Sequence, residues 1–210
     1  MDMSPRPREG VDGRLSRTLR SRQAICEACL DLAQDGVLQP SADEIAERAG
    51  LSRRSIFNHF RDLAELYDAV AEAGMQRCAP LLRKISDGEP ISRRVELFVD
   101  ARSKFLDAAA PFTRSLTAQV LVGPAGEQAW RVSQDAIRLH RQEIERLFLS
   151  EIADAAPTAQ PEIIDAMSAA TSPLNWEFLR RSQGLSLPKA RAVMLRSLKA
   201  LLRDAGVELP

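Results

Sequence analysis

Apolar residues in this chain return every three or four positions, and strict alternation is scarce. Ala24, Ile25, Ala28, Cys29, Leu32 and Ala33 form one such stripe, with the i, i+4, i+8 spacing of a helix that buries one side. The pattern predicts a first helix from near Ser16, ended by Gly36, which can take the left-handed conformation that stops a helix. A second helix opens at Ser41, which has capping-box spacing to Glu44, and it turns Ile45, Ala46 and Ala49 inward. Gly50 breaks that helix, Leu51 points inward, and Ser52 caps a short third helix whose apolar side is Ile56, Phe57 and Phe60. Asp62 is expected to cap a long fourth helix that runs through Leu66, Val70 and Met75 as far as Asp87-Gly88. Beyond Pro90, helical segments are expected over 91–109, 112–122, 126–155, 161–183 and 188–205, with Pro173 kinking or splitting the fourth. Ala, Leu, Arg and Glu dominate and favour helix, so the chain reads as all-α.

Residues 41–60, SADEIAERAGLSRRSIFNHF, change the picture from packing to recognition. Helix, tight turn and helix over about twenty residues is the helix-turn-helix arrangement, whose second helix enters the DNA major groove. Ala46 is small where the two helices approach closest, Gly50 permits the turn, and Ile56 holds the second helix on the first. The outward side then carries Arg53, Arg54, Ser55, Asn58 and His59. Arg grips guanine by two hydrogen bonds, and Asn does the same with adenine. The competing reading is a solvated face on an ordinary helical hairpin.

The surroundings of this stretch resemble the TetR family of transcriptional repressors. RQAICEACLDLAQDG is similar to that family's first helix, the stretch 41–60 to its second and third, and RDLAELYDAV to the start of its fourth. The resemblance covers roughly residues 14 to 75. Residues 1–13, with Pro5, Pro7, Gly10 and Gly13, read as a flexible basic arm, and the resemblance implies a three-helix DNA-binding domain over 14–61 and a helical effector-binding and dimerisation domain over 62–210. It further implies a homodimer on a palindromic double-stranded operator, released by a small-molecule effector. By position, Ser41, Arg53, Arg54, Ser55, Phe57, Asn58 and His59 would face DNA, with Arg61 as an added charge nearby. Phe57 stands where the family commonly has a phosphate-touching Tyr, and Leu63 where it commonly has a Lys. Arg54 replaces a usually small residue, so Arg54 and Arg61 are placed to compensate.

The C-terminal part sets polar residues on apolar stripes. Trp130, Ile137, Ile144 and Leu147 share a side with His140, Arg102 falls in line with Phe98 and Phe105, and Asn175 and Trp176 join Met167, Leu174 and Phe178. Burying such a group unpaired costs roughly 1–3 kcal/mol. One reading is a ligand cavity with Phe98, Arg102, Trp130, Ile137, His140, Asn175 and Trp176 around it. The other is that backbone or carboxylates satisfy these groups. Ala190, Val193, Met194, Ser197, Leu198, Leu201 and Leu202 give the last helix an apolar side broader than one partner needs. The resemblance assigns Val193, Met194, Ser197, Leu198 and Leu201 to the dimer interface, and packing within one chain competes with that reading.

Composition and charge narrow the rest. Lys plus Arg equals Asp plus Glu at 29 each, but six Arg stand against two acids from Arg6 to Arg22, and three Arg against none from Ser52 to Arg61. A local basic patch on a neutral chain suits specific contact. No stretch approaches the roughly 20 apolar residues of a membrane span, and no apolar signal core opens the chain, so a cytoplasmic protein is expected. Cys26 and Cys29 form C-x-x-C, which raises a redox-responsive regulator as an alternative, but Cys29 falls on the buried stripe and metal ligands are lacking. No phosphate loop, nucleophile elbow or paired metal motif is present, so neither catalysis nor a cofactor is expected.

Overall fold

The computed structural model describes residues 9–123 and 126–209, with side chains from Ser16 onward. Among these, all regular structure is helical. The elements are α1 (Glu9–Gln34), α2 (Ala42–Ala49), α3 (Arg53–His59), α4 (Leu63–Cys78), α5 (Ile91–Val122), α6 (Gly126–Ala155), α7 (Gln160–Ala170), α8 (Pro173–Glu177) and α9 (Leu187–Asp204). Of the arm expected over residues 1–13, residues 1–8 lie outside the described residues, and the chain is already helical from Glu9, ahead of the expected start near Ser16. Gly10 and Gly13 each cost a helix only about 1 kcal/mol, whereas the stronger breakers, Pro5 and Pro7, precede it.

Proline decides the other boundaries in two opposite ways. The fourth helix stops at Cys78, well before Asp87-Gly88, because Pro80 sits in a short 3-10 turn, Ala79–Leu81, and cannot continue the ladder. Pro111, expected to separate two helices, lies inside the continuous α5. Buried residues flank it on both sides, Phe105, Leu106, Ala109 and Ala110 before and Ser115 and Gln119 after, and their burial offsets one missing hydrogen bond. At Pro173 the expected split occurs. Ser172 caps α8 through its hydroxyl, and α8 widens at once into a π-helical turn, Phe178–Ser182.

The chain forms two compact units. One takes in the chain up to Gly74 together with Arg114–Ala129; the other takes in Met75–Thr113 and Trp130–Pro210. Helices α4, α5 and α6 each begin in one unit and end in the other. In the first unit, Ile25, Ile45, Ile56, Phe60 and Leu66 are buried, and α2 and α3 pack on each other and on α1. There, Ser115 donates to the Leu38 carbonyl at 2.7 Å, and Gln119 donates to the Tyr67 hydroxyl at 2.6 Å. The second unit has its own core of Val95, Phe98, Leu106, Ile144, Phe148, Ile152, Met167 and Trp176 with the inner side of α9.

That inner side corrects the reading of the last helix. Ala190, Met194, Leu198 and Leu202, at i, i+4 spacing, are all fully buried within the chain. Met194 and Leu198 therefore belong to the core and offer no surface to a partner. Val193 is exposed, and Ser197 and Leu201 are half-buried beside it.

Candidate nucleic-acid interface

The expected turn between α2 and α3 forms with all of its caps. Ser41 and Glu44 close the capping box: the Ser41 amide donates to Glu44 Oε2 at 2.8 Å, and the Glu44 amide donates to Ser41 Oγ at 3.3 Å. Gly50 has φ +65°, the left-handed conformation that glycine adopts without strain. The turn is closed there by the Leu51 amide on the Ala46 carbonyl at 2.9 Å. The Ser52 hydroxyl accepts from the Ser55 amide at 3.2 Å and starts α3.

Ile56 and Phe60, each 1% exposed, pin the back of α3. Its C-terminal end is held by Arg22, which sequence reasoning missed. The Arg22 guanidinium lies 4.2 Å from the centre of the Phe60 ring, donates to the His59 carbonyl, and reaches Glu65 at 3.2 Å. Nothing in the local pattern marks Arg22, since its partners are dozens of residues away. Glu65 also accepts from the Arg61 amide at 2.9 Å and from Arg61 Nε at 3.1 Å, and these bonds hold its carboxyl down at about 2. Helix α3 is thus fixed by an apolar back and a cationic clasp.

Its outward side divides into two rows one helical turn long. In one, Arg53 pairs with Asp43 of α2 at 3.1 Å and lies 6.0 Å from the ring of Phe57, which is exposed rather than part of the apolar side. In the other, Arg54 and Asn58 are exposed, and neither takes a partner among the described residues. Ser55 and His59 are half-buried at the edge of this face. Ser41 is exposed, but its hydroxyl is engaged by Glu44 at 2.7 Å. Arg61 is exposed and shares Glu65 with Arg22. Surface ion pairs of this kind are worth under about 1 kcal/mol, so they hold Arg53 and Arg61 only weakly.

The residues expected around a ligand are only partly brought together. Phe98, Arg102 and His140 meet in the second unit, where the Phe98 and His140 rings stack with centres 6.1 Å apart. Arg102 and His140 both bond Thr171, a fully buried residue at the end of α7 that the sequence did not flag. Trp176 is buried in the same core. Asn175 is half-buried and donates to the Ala170 carbonyl at 2.7 Å, so it closes the end of α7. Trp130 and Ile137 are more than half exposed, so the expected stripe is broken: only its later members, Ile144 and Leu147, are buried.

The three cysteines are buried and free. Burial pushes the Cys26 thiol up to about 11 and Cys29 to about 12, which keeps both protonated and unreactive at neutral pH. Peroxide titration of the purified protein is therefore expected to leave DNA affinity unchanged; a loss reversed by thiol reductant would restore the redox reading. Among the described residues no group of three or more His, Cys, Asp and Glu is placed to hold a metal ion, and no helix is long and apolar enough to cross a membrane.

No curated protein matches the chain. The crystal structure of a transcriptional regulator from Rhodococcus sp. Rha1 shares the fold, with a TM-score of 0.70 at 15% identity, covering 87% of this chain and 96% of that one. Residues 32–70, which span the end of α1, both helices of the turn and the first half of α4, match the family described as bacterial regulatory proteins, tetR family. That match covers the helix-turn-helix whose polar side faces outward, so residues 32–70 carry the DNA-binding segment of a TetR-type transcriptional regulator.

Proposed function

We propose that the protein is a homodimeric cytoplasmic repressor that reads a palindromic operator with α3 and leaves it when a small molecule binds the C-terminal unit. The observation that carries the reading is the row formed by Arg54 and Asn58, exposed and unpartnered on a helix whose back is buried. Arg53, held between Asp43 and Phe57, is positioned to grip phosphate, whereas Arg54 is free to address a base edge. Two α3 helices must lie about 34–36 Å apart to enter successive major grooves. The exposed Val193 on α9, with Leu174 and Phe178 exposed on the segment before it, supports a second copy as the partner of this end. Helices α4, α5 and α6, which run from one unit into the other, are the rods through which a ligand would shift that spacing.

Arg54→Ala is expected to weaken operator binding by about 1–3 kcal/mol and to relax preference at one position of each half-site. Fluorescence anisotropy on single-base operator variants checks this. Uniform weakening on every sequence would make Arg54 a phosphate contact and return the base-reading role to its neighbours.

A further inference from the structure

The Thr171 junction holds more hydrogen-bonding capacity than its own residues use. Arg102 of α5 donates Nε to the Thr171 carbonyl at 3.1 Å, and His140 Nε2 of α6 meets the Thr171 hydroxyl at 2.8 Å. That hydroxyl also lies 2.7 Å from the Met167 carbonyl, an atom that only accepts, so its one proton goes there. With that proton so placed, His140 Nε2 donates, and Nδ1 is buried with no hydrogen-bond partner among the described residues, although the Ser168 backbone acts on the same ring. Burial, with the charge of Arg102, pushes His140 down to about 3, so the ring stays neutral.

Arg102 is 7% exposed, and its Nε bond is the one hydrogen bond it makes among the described residues. Its two terminal nitrogens, a planar fork suited to a carboxylate, have no such partner. Burial lowers its pKa only to about 10, so it is a cation at neutral pH. The carboxylate that feels its field is Glu143, which forms no ion pair with it and is itself pushed up by burial. Aromatic rings lie beside both polar groups: Phe105 is 5.4 Å from the Arg102 guanidinium, and Phe98 stacks on His140 with 7° between ring planes. The indole N–H of Trp176, on α8 just past the junction, is also buried without a partner.

We propose that this junction is an effector site for a small aromatic carboxylate, its carboxylate on the terminal nitrogens of Arg102 and a polar group of the same molecule beside His140. The proposal rests on the ligand-released reading above and names the chemistry of that ligand. It also gives Arg102 a directly hydrogen-bonded counter-charge, which Glu143 supplies only through its field.

The test uses the full-length protein with benzoate, 3-hydroxybenzoate and phenylacetate, each beside its primary amide, by calorimetric titration. At least one acid is expected to bind about tenfold or more tightly than its amide, the value of one hydrogen-bonded charge. Arg102→Gln is expected to erase that preference while operator affinity without ligand stays intact. If Arg102→Gln does not fold, Arg102→Lys serves: it keeps the charge and loses the fork, so the preference persists at about tenfold weaker affinity. The proposal is overturned if no acid outbinds its amide, if the preference survives unchanged in Arg102→Gln, or, where that variant does not fold, if Arg102→Lys binds the acid as tightly as the unaltered protein does. Operator release is scored separately. An acid that binds through Arg102 without altering operator affinity sinks the release reading and leaves this site standing; release by the amides alone, with no acid bound, does the reverse.

Discussion

Ile56→Ala is expected to abolish operator binding although Ile56 reaches no nucleotide. Its side chain is 1% exposed and is the apolar pin of α3, which packs on α1 and α2, where Ile25 and Ile45 are likewise buried. Truncation leaves a cavity under a seven-residue helix and costs about 2–5 kcal/mol. A helix this short has no stability of its own and depends on that contact. The outward neighbour Phe57, 48% exposed, is the control: Phe57→Ala should leave the thermal midpoint nearly unchanged, within about 0.5 kcal/mol. Thermal unfolding with anisotropy on operator DNA measures both. Wild-type stability in Ile56→Ala would mean that α3 is held some other way.

In the second unit the largest single-site loss is expected at an ion pair. Arg94 is 6% exposed. It donates Nε to the Glu89 carbonyl at 3.0 Å and its terminal nitrogens to the Leu147 carbonyl and the Glu151 carboxylate. Burial works against a charged Glu151, but the hydrogen bonds from Arg94 and Ser150 prevail and leave its carboxyl below the usual range. Glu151→Ala strands the buried guanidinium. Because Glu151 is itself 29% exposed, the loss falls near the lower end for broken buried pairs, about 3 kcal/mol. The double variant Arg94→Met/Glu151→Leu removes both charges and should recover most of it. Urea titrations at unchanged slope give the comparison. A double variant as weak as the single one would show that the pair contributes through its geometry and not through a charge left unpaired.

What the amino-acid order made legible was local. Ser41 with Glu44, Gly50, and Ser52 each act within four residues, and each appears in its expected role. The polar side of α3 was legible for the same reason, since helical periodicity alone separates Ile56 and Phe60 from Arg54 and Asn58. Phe57 shows where periodicity stops: apolar by type, it lies on the outward row under Arg53. What stayed hidden depended on distant partners. Arg22 closes on His59 and Glu65, and Thr171 collects Arg102 and His140, with no spacing in the chain to announce either. Proline was ambiguous for a physical reason: Pro80 falls in a 3-10 turn closed by the Leu82 amide on the Ala79 carbonyl, whereas Pro111 sits inside α5 with buried residues on both sides. The i, i+4 row of α9 marked an apolar side but not its partner, so Met194 and Leu198 read equally well as interface or core until the second unit's interior was seen to enclose them.

The central claim is that α3 is a rigid reading rod with Arg54 and Asn58 at its tips. The measurement that tests it most directly is selection of bound duplexes from a random pool by the purified protein at about 0.15 M salt. Enrichment of a palindrome with half-site centres about 10 base pairs apart is expected, with loss of one base preference per half-site when Arg54→Ala is selected in parallel. A pool that emerges without any shared sequence, bound only through salt-sensitive contact to the backbone, would contradict it.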